Sequence, residues 1–217
     1  MIAPIIAPLE RKIDELAVDH NLSNYDIWTE TGRSEIEQKE FKDNLLLYYK
    51  RRGRIFNDAR CMVTNEWHPR QRVIAEHIWK NCMHGSGLHK FNLERADATS
   101  PRNGLLVLKD IEDQFTTKHI CFVYNAMTRE FIVKVLDPSL RDKVITHSLK
   151  TFGDIHNTKL HHPADRFPFR RILSFHARCS YKFAREKGWI TREEEERFEP
   201  YHNFSDSASI PEIDMRA

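Results

Sequence analysis

The 217-residue chain lacks the features that mark several large classes of protein. Its four cysteines lie far apart without a Cys-x-x-Cys pair, which disfavours a disulfide scaffold and a zinc ribbon. This usage fits an intracellular, reducing compartment, the cytoplasm or the nucleus. No apolar run approaches the roughly 20 residues of a membrane-spanning helix. Residues 1–8 have no basic region before their short apolar stretch, so we expect neither a signal peptide nor a membrane partner.

Apolar content is sufficient for a folded domain. Hydrophobic residues make up 40% of the chain, including 13 phenylalanines, so buried surface can offset the entropy lost on folding. The formal net charge of +2 indicates no particular partner. Twelve histidines could serve metal or acid–base chemistry, although we expect most of them at the surface.

The N-terminal part is predicted to be helical. Pro8 suits a first helical position, and apolar spacing predicts a helix over residues 8–20. Ser34 and Glu37 form a possible capping box for a second helix, which Gly53 would end. We assign residues 1–58 to an N-terminal helical region.

The middle of the chain alternates short strands with loops. Residues 60–64 and 72–76 are β-like and are separated by a predicted turn at 65–69. Residues 79–102 show no sustained periodicity and predict a long loop, which in a compact domain is usually functional. A short helix is expected at about 109–116.

A hairpin and further helices are predicted next. Strands at 119–125 and 130–136 flank a turn, and apolar spacing from Ile172 to Phe183 predicts a helix that Gly188 closes. Thr191 and Glu194 could cap an acidic helix, and the tail from about 203 is expected to fray. We assign residues 59–140 to a central core with its hairpin, and 141–217 to a helical extension packed on that core.

An acid beside a histidine suggests metal-assisted cleavage of phosphodiesters. His77 can activate water, because its ordinary pKa lies near neutrality, and Glu76 offers the hard oxygen that Mg²⁺ or Mn²⁺ prefers. Neighbours on a strand point to opposite sides, so one could hold metal while the other faces water. A histidine ending a half-buried strand beside a solvated glutamate would give the same dipeptide.

Two further positions could complete such a site. The amide of Asn103 could bond backbone and hold the loop that carries the histidine, although Asn103-Gly104 could equally be a turn before a core strand. Glu112 is a possible metal ligand, with Asp113 as the alternate. Only one of these two can face His77, because neighbours on a helix diverge by about 100°.

The order of these motifs resembles the HNH endonuclease family. The chain has Cys-x-Val-Thr-Asn from Cys61, then Ala-Glu-His-Ile, Asn-Gly-Leu-Leu-Val-Leu and Ile-Glu-x-x-Phe. The resemblance covers roughly residues 60–136 and implies an α+β fold whose ββα-metal centre holds one divalent cation. It makes His77 the general base, Glu76 an acidic metal ligand and Asn103 the central asparagine.

Two positions depart from that family's pattern. Glu112 stands where the resembled branch has its final histidine, and Thr116 replaces an aspartate. A carboxylate can replace an imidazole as the ligand of a hard cation. Glu112 therefore favours Mg²⁺ or Mn²⁺ at this site. No structural zinc is expected, because the Cys-x-x-Cys pairs that often bind zinc in this family are absent. A zinc cluster of Cys61, Cys82, His84 and His89 is conceivable, although its spacing matches no standard site.

Basic residues could contact nucleic acid. Cations neutralise phosphates and make binding salt-dependent. The candidates are Lys50, Arg51, Arg52 and Arg54, which form the densest cluster, and Arg70, Arg72, Lys80, Lys90 and Arg102 around the proposed site. A solvated helix end explains the first four equally well. Aromatic residues that could stack on bases, or could instead belong to the core, are Trp67, Trp79 and His89.

The sequence therefore predicts an endonuclease that hydrolyses DNA, with RNA the less favoured substrate and a homodimer one route to double-strand cutting. Two alternatives stay open. The chain could be a degenerate module that binds nucleic acid without cutting it, or an effector or interaction protein with no nuclease activity.

Overall fold

The computed structural model describes residues 34–53 and 57–198. The helix predicted at 8–20, Arg54 and the tail from 203 lie outside these residues. The helices are α1 (Glu35–Tyr48), α2 (Lys109–Thr116), α3 (Phe152–Ile155), α4 (Arg170–Glu186) and α5 (Arg192–Glu196). The strands are β1 (Asp58–Arg60), β2 (Trp67–Pro69), β3 (Val73–His77), β4 (Gly104–Leu108), β5 (Ile120–Asn125) and β6 (Glu130–Val135).

Helix α1 begins at the predicted capping box. The Ser34 hydroxyl accepts from the Glu37 N–H at 3.2 Å, and the Glu37 carboxylate accepts from the Ser34 N–H at 3.3 Å. The prediction that Gly53 ends this helix is wrong. The helix ends at Tyr48, because Lys50 adopts the left-handed φ of 53° and turns the chain away.

The first hairpin differs from the sequence prediction. Residues 60–64 were expected to form a strand, but β1 ends at Arg60 and the chain turns. The Cys61 sulfur accepts hydrogen bonds from the N–H groups of Val63 and Thr64 at 3.4 and 3.5 Å, which stabilises the turn. Strand β2 occupies part of the predicted turn and pairs antiparallel with β1.

The centre of the fold is two antiparallel strands followed by a helix. Strand β3 pairs with β4 so that Val73 lies opposite Leu108 and His77 opposite Gly104. Between them, the predicted long loop contains four short 3-10 helices. Strand β4 is buried along its whole length and leads directly into α2.

The C-terminal half follows the predicted order. Strands β5 and β6 form the expected antiparallel hairpin. Helix α4 packs on β5 and ends before Gly188, whose φ is 71°. Thr191 and Glu194 form the predicted capping box of α5.

One buried cluster joins these parts. Its members come from helices α1 to α4 and from the strands between them, for example Leu45 of α1, Leu106 of β4, Phe115 of α2 and Phe175 of α4. The fold is thus α+β with small hairpin sheets, as predicted. The three-part domain division stays a prediction. In the described part of the chain, no helix has the length and apolar character needed to cross a membrane.

Candidate active site

An open cleft of about 810 Å³ lies beside the central strands. Its walls come from α1, the turn at Arg70–Arg72, β3, the start of the long loop and α2. The charged side chains that line it are Glu35, Lys39, Lys42, Arg70, Glu76 and Glu112. Both carboxylates that the sequence proposed as metal ligands therefore line one cleft.

Glu76 lies on the side of β3 that faces α2. The Thr116 hydroxyl donates to Glu76 Oε1 at 3.4 Å, a long hydrogen bond. Thr116 follows Glu112 by four residues, so the two share one side of α2. The threonine that replaces the aspartate of the resembled motif thus contacts the carboxylate of the neighbouring strand.

Glu112 and Asp113 differ in their position relative to the cleft. Glu112 lines the cleft and its side chain is 15% exposed, whereas the Asp113 side chain is 51% exposed and points elsewhere. The Lys109 ammonium donates to Glu112 Oε2 at 2.5 Å and lies 2.9 Å from Asp113 Oδ1. The hydrogen bond to Glu112 is the main cause of a raised pKa of Lys109, and the bond to Asp113 raises it further.

His77 is in a different environment from its neighbour Glu76. Its side chain is only 5% exposed, and its ring centroid lies 3.6 Å from that of Phe41 on α1. His77 is not one of the described residues that line the cleft. The alternation of the strand thus sends Glu76 towards α2 and His77 towards α1.

Gly104 allows α1 to approach His77 so closely. Its backbone is extended, with φ −140° and ψ 158°, so the glycine is not required for a turn. A Cβ added there would lie 2.6 Å from a methyl of Leu45 and 2.7 Å from the ring of Phe41. Glycine is therefore needed for packing, directly opposite the histidine.

Asn103 is fully buried, and its amide binds backbone. Its Oδ1 accepts from the Trp79 N–H at 2.8 Å, and its Nδ2 donates to the carbonyls of Trp79 at 3.0 Å and Ala98 at 2.9 Å. The Asn103 carbonyl also accepts from the Ile78 N–H at 2.9 Å. These bonds tie both ends of the long loop to the residues that follow His77.

The donor set fits a hard cation that keeps water ligands. Mg²⁺ is commonly bound through one or two carboxylates together with water and substrate phosphate. Glu76 and Glu112 supply two such carboxylates to the cleft. Across residues 34–53 and 57–198, no group of three or more histidine, cysteine, aspartate or glutamate side chains could hold a metal ion.

The predicted nucleic-acid contacts are dispersed. Arg51 is buried and donates to Asn65 Oδ1 at 2.7 Å, while Lys50 and Arg52 are exposed outside the cleft. Arg102 donates to the Phe167 carbonyl at 3.3 Å and stacks on Phe169. Lys80 is half-buried, directly before cleft residues Asn81 and Cys82. Of the predicted cations that the structure describes, only Arg70 lines the cleft.

The aromatic candidates also lie in different environments. Trp79 is fully buried and packs against Phe91 and Phe175, so it belongs to the core. Trp67 is 50% exposed, with the Arg60 guanidinium 5.5 Å from its ring centre. His89 is exposed in the long loop.

Sequence reasoning missed the cations that do line the cleft on α1. Lys39 and Lys42 stand three residues apart and so share one side of the helix. That spacing was visible in the sequence. What it could not reveal was that this side of α1 faces the carboxylates of β3 and α2.

Comparison with known proteins relates the central part of the chain to one family. No curated protein matches the chain. A family model described as HNH endonuclease matches residues 61–123, which include β3, the long loop, β4 and α2. Helices α1, α3, α4 and α5 lie outside the match. Residues 61–123 are thus similar to the HNH endonuclease family, and α1 adds one wall of the cleft beside them.

Proposed function

We propose that the chain is a divalent-metal-dependent endonuclease that hydrolyses phosphodiester bonds of DNA. An HNH endonuclease domain supports a nuclease-type function in general. The observation that carries the finer proposal is that Glu76 and Glu112, from different elements, line one cleft. Because the two carboxylates belong to adjoining elements of the matched segment, the cleft can place a cation beside a bound phosphate.

In this proposal, each residue has a separate role. Glu76 and Glu112 would hold the divalent cation, which would supply charge stabilisation for the phosphate and the leaving oxygen. His77 accepts a proton from the attacking water. The water oxygen bonds to phosphorus as the bond to the 3′ oxygen breaks, and the leaving oxygen takes up a proton from solvent. Asn103 keeps the loop in register through its bonds to Trp79 and Ala98.

The burial of His77 adds one requirement. Its ring lies against Phe41, so the ring must gain access to the cleft before it can accept a proton from water. Catalytic hydrogen bonds are often incomplete in substrate-free structures and tighten when substrate binds. We therefore propose that DNA binding is accompanied by a shift of Phe41 relative to β3.

A second candidate function rests on Lys109. Its ammonium already neutralises Glu112 at 2.5 Å, as a cation in a degenerate site would. In that case the domain would bind nucleic acid without cutting it. A protein of this kind would retain salt-dependent binding and would leave DNA intact with every metal.

Supercoiled plasmid distinguishes these functions. The wild type is incubated with Mg²⁺, Mn²⁺ or a chelator, beside His77→Ala and Glu112→His. We expect nicking with metal only, loss of nicking in His77→Ala, and retained or raised nicking in Glu112→His, because histidine is the residue of the resembled motif. Intact plasmid with every metal would refute the endonuclease proposal, and equal nicking by His77→Ala would refute the role of His77.

The proposal is for nicking by one centre. Cutting both strands would then require a second copy of the chain or two successive nicks. The homodimer expected from sequence has no support in the part of the chain described here, and DNA rather than RNA remains part of the proposal.

A further inference from the structure

The cleft has a basic side that the matched HNH segment does not supply by itself. Lys39 and Lys42 come from α1, which precedes residues 61–123, and Arg70 comes from the turn before β3. We propose that Lys39, Lys42 and Arg70 form a phosphate clamp that binds the DNA backbone beside the scissile bond. The inference rests on the proposed function and extends it to how the substrate is held.

Two bonds fix the position of this clamp. The Lys42 ammonium donates to the Arg70 carbonyl at 2.6 Å, and the Arg70 guanidinium donates to Asp43 Oδ1 at 2.6 Å. Together they join α1 to the turn before β3. Since Lys42 and Arg70 are held by these contacts before any ligand arrives, less side-chain entropy is lost when a phosphate binds to them.

The charge pattern suits a polyanion. Arg70 has a carboxylate partner in Asp43, whereas the Lys42 ammonium is bonded to a carbonyl and lies beside Arg70. Burial, and then the charge of Arg70, lower the pKa of Lys42. A half-buried cation beside another cation is unfavourable in the free protein, and a bound phosphate would relieve that repulsion.

The clamp and the acidic pair have complementary tasks. Six charged residues line the cleft, three cations and three carboxylates, so its formal charges balance. Glu76 and Glu112 suit a divalent cation at the scissile phosphate. The three cations suit the neighbouring phosphates, because phosphate contacts position a nucleic acid without reading its sequence.

This assignment differs from the one that sequence favoured. The run from Lys50 to Arg54 is the densest basic cluster, yet Arg51 is buried and bonded to Asn65, and Lys50 and Arg52 lie outside the cleft. The clamp proposal therefore predicts that charge removal in the cleft weakens DNA binding more than charge removal in that run.

Binding without cleavage tests the clamp. The full chain is titrated into a fluorescein-labelled DNA duplex in chelator, and fluorescence anisotropy gives Kd over a range of salt concentrations. Lys39→Gln with Lys42→Gln should raise Kd roughly tenfold and reduce the salt slope by about 0.9 for each phosphate that is no longer neutralised. The weakening should be similar for duplexes of unrelated sequence, because the clamp binds only phosphates.

Matched variants distinguish the loss of a charge from misfolding of the protein. Lys143→Gln removes an exposed charge outside the cleft and should leave Kd unchanged, and Lys50→Gln with Arg52→Gln tests the rival cluster. Lys42→Arg keeps the charge and should retain most of the affinity. Thermal unfolding of each variant shows whether α1 still packs.

The outcomes separate the two proposals. Unchanged Kd in the Lys39, Lys42 variant, an equal loss in the Lys50, Arg52 variant, or no DNA binding by the wild type would each overturn the clamp. Tight clamp-dependent binding with no nicking under any metal would support the clamp and refute the endonuclease. If the wild type nicks plasmid and the clamp variants bind DNA with unchanged Kd, the endonuclease is supported and the clamp is refuted.

Discussion

The two sides of strand β3 differ sharply, although they carry neighbouring residues of one motif. Glu76 faces α2 and an open cleft, within the segment that matches the HNH endonuclease family. His77 faces α1 and is covered by Phe41, a residue outside that segment. The strand thus places Glu76, the proposed metal ligand, beside the cleft and His77, the proposed base, beneath α1. It follows that access to one residue of a family motif can depend on a helix outside the matched segment.

The largest expected effect concerns the open side. Glu112→Ala should reduce plasmid nicking by about 100-fold or more, because one of two carboxylates for the cation is removed. Asp113→Ala is the matched control, since it removes the adjacent carboxylate, which lies outside the cleft. Initial nicking rates in Mg²⁺ measure both variants. Equal losses would mean that the cleft does not distinguish the two acids.

The next prediction is a pH effect that acts through α2. His176 of α4 donates from Nε2 to the Phe115 carbonyl at 2.9 Å and stacks on the Phe115 ring. Burial lowers the pKa of His176 to about 3 from an ordinary 6.5. The unfolded chain then binds the extra proton below pH 6.5 and the folded chain does not, so stability falls as pH drops from about 6.5 towards 3.

Urea unfolding at pH 7 and pH 5 measures this loss. The contribution of His176 should be on the order of 2 kcal/mol between these values. His176→Gln keeps a donor for the Phe115 carbonyl without titrating and should lose less stability over the same interval. His156 and His161, whose pKa values burial lowers to about 4, remain in both proteins. A pH dependence that is the same in the variant would contradict the prediction.

A smaller effect tests the shelter of His77. Phe41→Ala should make His77 react roughly tenfold faster with diethyl pyrocarbonate, because reagent access follows local exposure. Leu46→Ala is the control, since Leu46 is buried on the same helix and its truncation also weakens packing. Peptide mass spectrometry identifies the modified histidine. If both variants accelerate the reaction equally, general loosening of α1 explains the result and Phe41 has no specific role.

The smallest expected effect concerns the exposed lysine on α2. Lys109→Met removes the ammonium that neutralises Glu112, so a divalent cation no longer competes with it. The Mg²⁺ concentration for half-maximal nicking should fall about two- to threefold, in line with the small energies of exposed ion pairs. Lys143→Met provides the control. A higher Mg²⁺ requirement would instead assign Lys109 to positioning Glu112.

Sequence signals predicted the elements that depend on near neighbours. The capping boxes at Ser34 and Thr191, helix α2 and the β5–β6 hairpin all follow from residues a few positions apart. The turn at 61–64 was missed because it depends on sulfur–backbone hydrogen bonds in a segment with β-like composition. Local patterns describe a chain segment, and they carry little information on what packs over it.

The candidate site shows the same limit. The order of Glu76, His77, Asn103 and Glu112 predicted the family, and the structure brings Glu76 and Glu112 to one cleft. The burial of His77 and the position of the α1 cations arise from packing between parts of the molecule that lie far apart along the chain. No short-range periodicity encodes such packing, so it is visible only in the three-dimensional structure.

Gly104 has a practical consequence for dissecting the chain. Because α1 occupies the space where a side chain would stand, the surface of β3 and β4 beneath it is covered by the apolar side chains of Phe41 and Leu45. A fragment that starts at Cys61 would carry the whole family segment and yet expose this groove to water. We expect such a fragment to self-associate or to need detergent, so α1 should be kept in any minimal active unit.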